Sequence, residues 1–165
     1  MCGCRLLSIV AFLCFHFFSS GRSATGDYHW KPVGHAHTHY SNRQAVNCLD
    51  FIGLNYHSHS FVRYRFKSFF TNNPIEIMLP HSSLTLMSDA TNATIYPEGL
   101  YRSIMQLNAT LPNTDVYVTE NGIADKNDDR RHLYLRRHMY ALSRAVQHGA
   151  RVKGYFFWTL FDCFE

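Results

Sequence analysis

Blocks of apolar and polar residues follow one another along this chain, and the regular ones begin at Leu49. Residues 49–56 read Leu-Asp-Phe-Ile-Gly-Leu-Asn-Tyr, a short apolar run of the kind expected for a strand buried on both faces. By the two-residue strand period, Asn55 and His57 point to one side and Tyr56 to the other. Residues 58–95 carry few markers. Tyr96-Pro97-Glu98-Gly99 then opens a helix, with Pro97 suited to its first turn. Leu100, Ile104 and Leu107 repeat at helical spacing behind it. Val116-Tyr-Val-Thr119 is strand-forming and runs straight into Glu120, Asn121 and Gly122. Asp128-Asp129 sets acid at the start of a second helix. Its predicted apolar stripe is Leu135, Met139, Leu142 and Val146, and Gly149 stops it. Residues 152–160 read as a third buried strand.

Strand, helix, strand, helix, strand predicts an α/β fold with parallel pairing through crossovers. In such sheets the working groups collect at the carboxyl ends of the strands. Asn55 and His57, Glu120 and Asn121, and Trp158 and Asp162 all fall there. A lone Glu before Asn-Gly is also a solvated turn. Three strands delivering such groups to one rim favour a cleft instead, with Glu120 as its working carboxylate.

Composition narrows the class. The chain has 165 residues, 46% hydrophobic and 15% aromatic, which is globular rather than disordered and points to one folded unit. Its net charge of +4 is mild, and the basic pairs Arg130-Arg131 and Arg136-Arg137 read as a solvated helix face. No nucleic-acid footprint results. Residues 1–24 differ from the rest: Arg5 precedes an apolar run over 6–18, and Ser19-Ser-Gly21 supplies small residues suited to cleavage. The run is too short for a stable membrane span and fits a secretory signal peptide, so the secretory pathway or secretion is the expected location. The sequons Asn92-Ala-Thr94 and Asn108-Ala-Thr110 agree with that route.

Residues 25–48 are polar, rich in His and Tyr, and read as an irregular arm. His35, His37 and His39 would share one face of an extended segment and could hold Zn²⁺ or Cu²⁺. No carboxylate or thiol completes that set nearby, which favours incidental loop histidines. Past the leader only Cys48 and Cys163 remain, with no paired zinc spacing, so neither a metal nor a cofactor is expected.

The motifs themselves carry a resemblance. Thr119-Glu-Asn-Gly122, preceded by Val116-Tyr-Val118, resembles the nucleophile motif of glycoside hydrolase family 1, the β-glucosidase family. Asp50-Phe-Ile-Gly-Leu-Asn-Tyr56 is similar to that family's sixth-strand motif. Gly154-Tyr-Phe-Phe-Trp-Thr-Leu-Phe-Asp-Cys-Phe-Glu165 is similar to its eighth-strand motif, and residues 128–149 to the helix between. The resemblance covers residues 49–165. It implies the last three strand–helix units of a (β/α)8 TIM barrel, hence a partial barrel, and a retaining β-glycosidase that hydrolyses O-glycosyl bonds of β-linked glycosides or oligosaccharides. It also implies residue roles: Glu120 as nucleophile, Trp158 as a stacking floor, Glu165 as acceptor for sugar hydroxyls, and Asn55 lining the same pocket. His57 stands where the family has a tyrosine that bonds the nucleophile. The family's acid/base carboxylate sits in an Asn-Glu-Pro triplet, which this sequence lacks. Three parallel strands cannot close a barrel, so the isolated chain is expected to be inactive, with the missing barrel half as a partner. The other readings are a non-catalytic carbohydrate- or partner-binding remnant, and metal binding through the histidine arm.

Overall fold

The computed structural model describes residues 10–12, 27–30, 38–41, 43, 49–59, 61–64, 75–78, 88–89 and 94–159. Among these, Glu165, Asp162, Cys48, Cys163, Asn92, His35 and His37 do not figure, so the expectations placed on them lie outside the described residues.

Eight strands and two helices are described: β1 (Val10–Phe12), β2 (Asp27–Trp30), β3 (Thr38–Ser41), β4 (Phe51–Asn55), β5 (Phe61–Tyr64), β6 (Ile75–Met78), α1 (Pro97–Thr110), β7 (Asp115–Asn121), α2 (Arg131–Gln147) and β8 (Val152–Phe157). The principal sheet runs β1-β4-β7-β8 with every pair parallel. The three predicted strands are therefore neighbours in the predicted order, and each crossover from β4 to β7 to β8 carries a helix, as parallel pairing requires. β1, which falls within the apolar leader, pairs with β4. The arm over 25–48 is not wholly irregular, since β2 and β3 form an antiparallel pair. β5 and β6 form another in the stretch that carried few sequence markers.

The core lies between the sheet and the helices. Ile52 and Leu54 from β4 and Val116 and Val118 from β7 point toward Leu100, Ile104 and Leu107 of α1, with Leu111, Ala145 and Ala150 completing the cluster. Alternate residues on the same strands occupy the opposite face, where Phe51 and Tyr117 meet edge to face at 5.3 Å. β8 is an edge strand rather than a fully buried one: Phe156 is 55% exposed and Lys153 is exposed. Among the described residues it has a neighbour on one side only.

The second helix corrects its expected face. The buried positions of α2 are Tyr134, His138, Ala141 and Ala145, whereas Leu135, Met139 and Val146 are exposed. Leu142 is half-buried against the core. The two stripes lie one residue, about 100°, apart on the helix. Hydropathy favours the Leu-Met-Val stripe, but close approach of helix to sheet selects the small Ala141 and Ala145. The helix start also shifts. Asp128 and Asp129 are exposed, and Asp128 takes a positive φ of 53°. The carboxylate that satisfies the first turn is Asp125, whose Oδ2 accepts the N–H groups of Arg130 at 2.7 Å and Arg131 at 2.9 Å. Gly149 terminates α2 as expected, with φ +90°. Among the described residues no helix is long and apolar enough to cross a membrane.

Candidate active site

Glu120 sits at the carboxyl end of β7, and a bulge puts it there. Leu54 pairs with Val118 but Asn55 pairs with Glu120, and on the other side Val118 pairs with Tyr155 but Asn121 with Phe157. β7 thus carries one extra residue against both neighbours around Thr119 and Glu120. Such an insertion bends the strand and redirects a side chain, a device common beside active sites. The result sets Glu120 opposite Asn55, and the N–H of Tyr56 donates to the Glu120 carbonyl at 2.8 Å.

The predicted rim groups come together around that carboxylate. His57 Nε2 lies 3.1 Å from Glu120 Oε2, and the two side chains are 40% and 32% exposed. The pair is open enough for a ligand, and the imidazole donates when Nε2 carries the proton. Asn55 is buried and accepts from Thr119 Oγ1 at 2.5 Å, which holds its amide against β7. Trp158 follows β8 and is 38% exposed; its N–H donates to the Asn121 carbonyl at 3.1 Å. A Cβ on Gly122 would fall 1.5 Å from the Trp158 carbonyl oxygen. Only glycine lets the two strand tips approach so closely. Among the described residues His57 is the one side chain bonded to the Glu120 carboxylate.

Asn121 departs from the expected rim role. It is fully buried and turns away from Glu120, as strand alternation dictates. Its Nδ2 donates to the Tyr56 carbonyl at 2.6 Å and to Tyr134 Oη at 2.8 Å, while Tyr155 Oη donates to its Oδ1 at 2.8 Å. Burial, foremost, pushes the Tyr134 phenol far above its ordinary range, and burial pushes Tyr155 up to about 12. Both therefore stay neutral donors or acceptors. Sequence reasoning missed Tyr134, His138 and Tyr155 as the support of this strand tip. The available signal was a polar-tipped aromatic pair, Tyr134 and His138, at i, i+4 on one face of α2.

Among the described residues no group of His, Cys, Asp or Glu is arranged to hold a metal ion. His39 pairs with His29 across β2 and β3.

A parallel sheet backed by helices, with a half-exposed carboxylate on a bulge at its carboxyl rim, is the arrangement of a piece of an α/β barrel with polar groups at its rim. The family model of glycosyl hydrolase family 1 matches residues 33–165, and the chain belongs to that family. It is 32% identical over 155 residues to beta-glucosidase 10 of Oryza sativa subsp. japonica, covering 81% of this chain and 29% of the rice protein. The fold resembles the β-glucosidase of Thermotoga maritima, solved in complex with glucoimidazole, at a TM-score of 0.59 and 29% identity, over 68% of this chain and 26% of that one. It resembles the β-glycosidase of Pyrococcus horikoshii at a TM-score of 0.62 and 26% identity, over 83% and 29%. The chain spans less than a third of the length of each of these relatives. It is a glycoside hydrolase by family, with the architecture of a partial (β/α)8 barrel.

Proposed function

We propose that this chain carries the nucleophile side of a retaining β-glycosidase site, acting on β-linked glycosides or oligosaccharides. The observation that carries this reading is Glu120, half-exposed on its bulge, with one oxygen held by His57 at 3.1 Å. The other oxygen is then free to attack the anomeric carbon. In that step the carboxylate forms a glycosyl ester as the bond to the aglycone oxygen breaks, and water later hydrolyses the ester. His57 orients the nucleophile, Asn55 lines the pocket, and Trp158 offers an aromatic face to the sugar ring. Glu165 would accept bonds from sugar hydroxyls.

Protonation of the leaving oxygen needs a second carboxylate about 5 Å from the first, and the sequence holds no Asn-Glu-Pro triplet to supply it. General acid catalysis contributes roughly 10²–10⁴-fold. Alone, the chain is thus too slow on ordinary glycosides, and the complementary barrel half is its partner for turnover.

An activated substrate tests the reading without the missing acid. The dinitrophenolate of a 2,4-dinitrophenyl 2-deoxy-2-fluoro-β-glucoside leaves unprotonated, and the ester persists because the 2-fluorine disfavours the oxocarbenium-like transition state of its hydrolysis. The chain should gain the mass of one deoxyfluoroglucosyl unit on the peptide containing Glu120, and Glu120→Gln should gain none. Failure to form the adduct or to bind an immobilised glucoside would sink the proposal. Binding without an adduct would support the second reading, a non-catalytic sugar- or partner-binding remnant. That reading draws on the open aromatic sheet face, where Phe156 is 55% exposed.

A further inference from the structure

A second concavity lies on the helices rather than at the strand tips. A groove of about 690 Å³ runs between α1 and α2, with Tyr101, Arg136, Arg137, Tyr140, Arg144 and His148 on its walls. The volume falls in the range of ligand-binding clefts. Its lining is mostly apolar, and Tyr140 is 67% exposed beside the half-buried Tyr101 and the buried Ala141. One end is closed by Tyr101 Oη, 2.7 Å from His148 Nδ1, the two rings meeting edge to face at 5.7 Å.

The charges around it are unbalanced. Arg136 and Arg137 have no hydrogen-bonding or ion-pair partner among the described residues. Among the described residues Arg144 meets no carboxylate, only Gln147 Oε1 at 3.1 Å and His148 Nε2 at 3.3 Å. The one acid on the wall, Glu98, is engaged by Arg102 at 2.6 Å. Among the described residues, three guanidiniums therefore border an apolar trough without a carboxylate to answer them.

The spacing of those cations selects the class of ligand. Arg136 and Arg144 are eight residues apart, about 12 Å along the helix axis at 1.5 Å per residue. A single carboxylate or phosphate cannot reach both. A peptide with several acidic side chains can, because an extended chain advances about 3.3 Å per residue. The apolar floor in turn calls for an aromatic or aliphatic side chain among the acids. We propose that the groove between α1 and α2 docks an acidic peptide segment of a partner protein. Its carboxylates meet Arg136, Arg137 and Arg144, and an apolar side chain seats on Tyr101, Tyr140 and Ala141. The inference does not depend on the glycosidase reading, since it uses no residue of the candidate active site.

Fluorescence polarisation with the full chain and a fluorescein-labelled peptide, Asp-Glu-Phe-Glu-Leu-Asp, tests it. The acidic peptide should bind, and its neutral counterpart Asn-Gln-Phe-Gln-Leu-Asn should not. Arg136→Gln, Arg137→Gln and Arg144→Gln should each weaken binding about fivefold, the upper end for an exposed ion pair. Raising the salt from about 0.05 to about 0.5 M should weaken it further. Glu120→Gln should bind as the parent does. The three arginines are exposed, so far-UV circular dichroism of the variants should match the parent and separate lost docking from lost folding. Equal binding of the neutral peptide, unchanged binding by the triple variant, or no binding at millimolar peptide would each overturn the proposal. So would adsorption to phosphatidylserine vesicles without peptide binding, since the cations would then be meeting a lipid surface.

Discussion

His138 offers a quantitative handle on how the site-bearing layer is held together. The side chain is fully buried on α2, stacked on Tyr134 at 3.8 Å and 6.1 Å from the ring of Tyr56. Its Nδ1 lies 2.9 Å from the Tyr134 carbonyl, and its Nε2 has no partner among the described residues. Burial, the dominant cause, pushes its pKa down from 6.5 to about 4, against a weaker upward pull from the Tyr134 carbonyl. Tyr134 and Tyr56, the rings it touches, are held neutral by their own burial. Above about pH 6.5 the histidine is neutral in both folded and unfolded chains. As the pH falls from 6.5 toward 4, the unfolded chain takes up a proton that the folded chain refuses, so stability drops. At about 1.4 kcal/mol per unit, the loss comes to about 3 kcal/mol by pH 4 and then stops growing. His138→Phe keeps the stacked ring and removes the orphaned nitrogen. It should lie within about 1 kcal/mol of the parent near pH 7, with the slope between about pH 4.5 and 6.5 made shallower and a remainder left to His59, which burial also pushes down. Urea unfolding followed by far-UV circular dichroism across that range measures both. Parallel decline of parent and variant would refute the reasoning, as would a cost above about 3 kcal/mol for the variant near neutrality.

Asp125→Ala should destabilise the chain by about 2 kcal/mol, because two N–H groups of the first turn of α2 lose their acceptor; urea midpoints read this directly. Burial works to raise the Asp125 carboxyl but is outweighed by hydrogen bonds from Arg130 and Arg131, so the group lies low. Its contribution is present above the ordinary carboxylate range and fades only as the pH falls below it, under the His138 window. Gly122→Ala would drive a methyl group into the Trp158 carbonyl. In a Trp30→Phe background the Trp158 emission should shift to the red and labelling of Glu120 should fall; an unchanged spectrum with unchanged labelling would contradict the packing described.

How much of this was written in the sequence depends on which physical signal each residue leaves. The three parallel strands were legible because each is a short apolar run. Glu120 and His57 were legible because polar groups at strand tips interrupt that pattern. The face of α2 was not, since two stripes one residue apart compete and hydropathy favours Leu135, Met139, Leu142 and Val146 over Tyr134, His138, Ala141 and Ala145, whose polar tips and small side chains it underrates. Asp125 was equally hidden. It caps α2 from five residues upstream across a loop, and the adjacent Asp128-Asp129 pair offered a stronger local signal. The β5–β6 pair and the bulge in β7 leave no period of their own, because both are defined by a partner strand rather than by the local sequence.

The bulge also bears on whether the nucleophile side can hold its geometry without the rest of a barrel. The tip of β7 is fixed by Asn121, whose buried amide is satisfied by the Tyr56 carbonyl after β4, by Tyr134 on α2 and by Tyr155 on β8. All three partners fall within residues 56–155. Removing any one leaves a buried polar group unpaired, at a cost of about 1–3 kcal/mol. The network therefore resists loss of the bulge. Glu120 sits on the opposite face of the strand from this anchor, so its direction follows from the register of Asn121. The position of the carboxylate is thus a property of β4, β7, β8 and α2 together, whereas in the proposed reading leaving-group protonation needs a second carboxylate. In that reading the activated-glycoside experiment isolates the step proposed for Glu120.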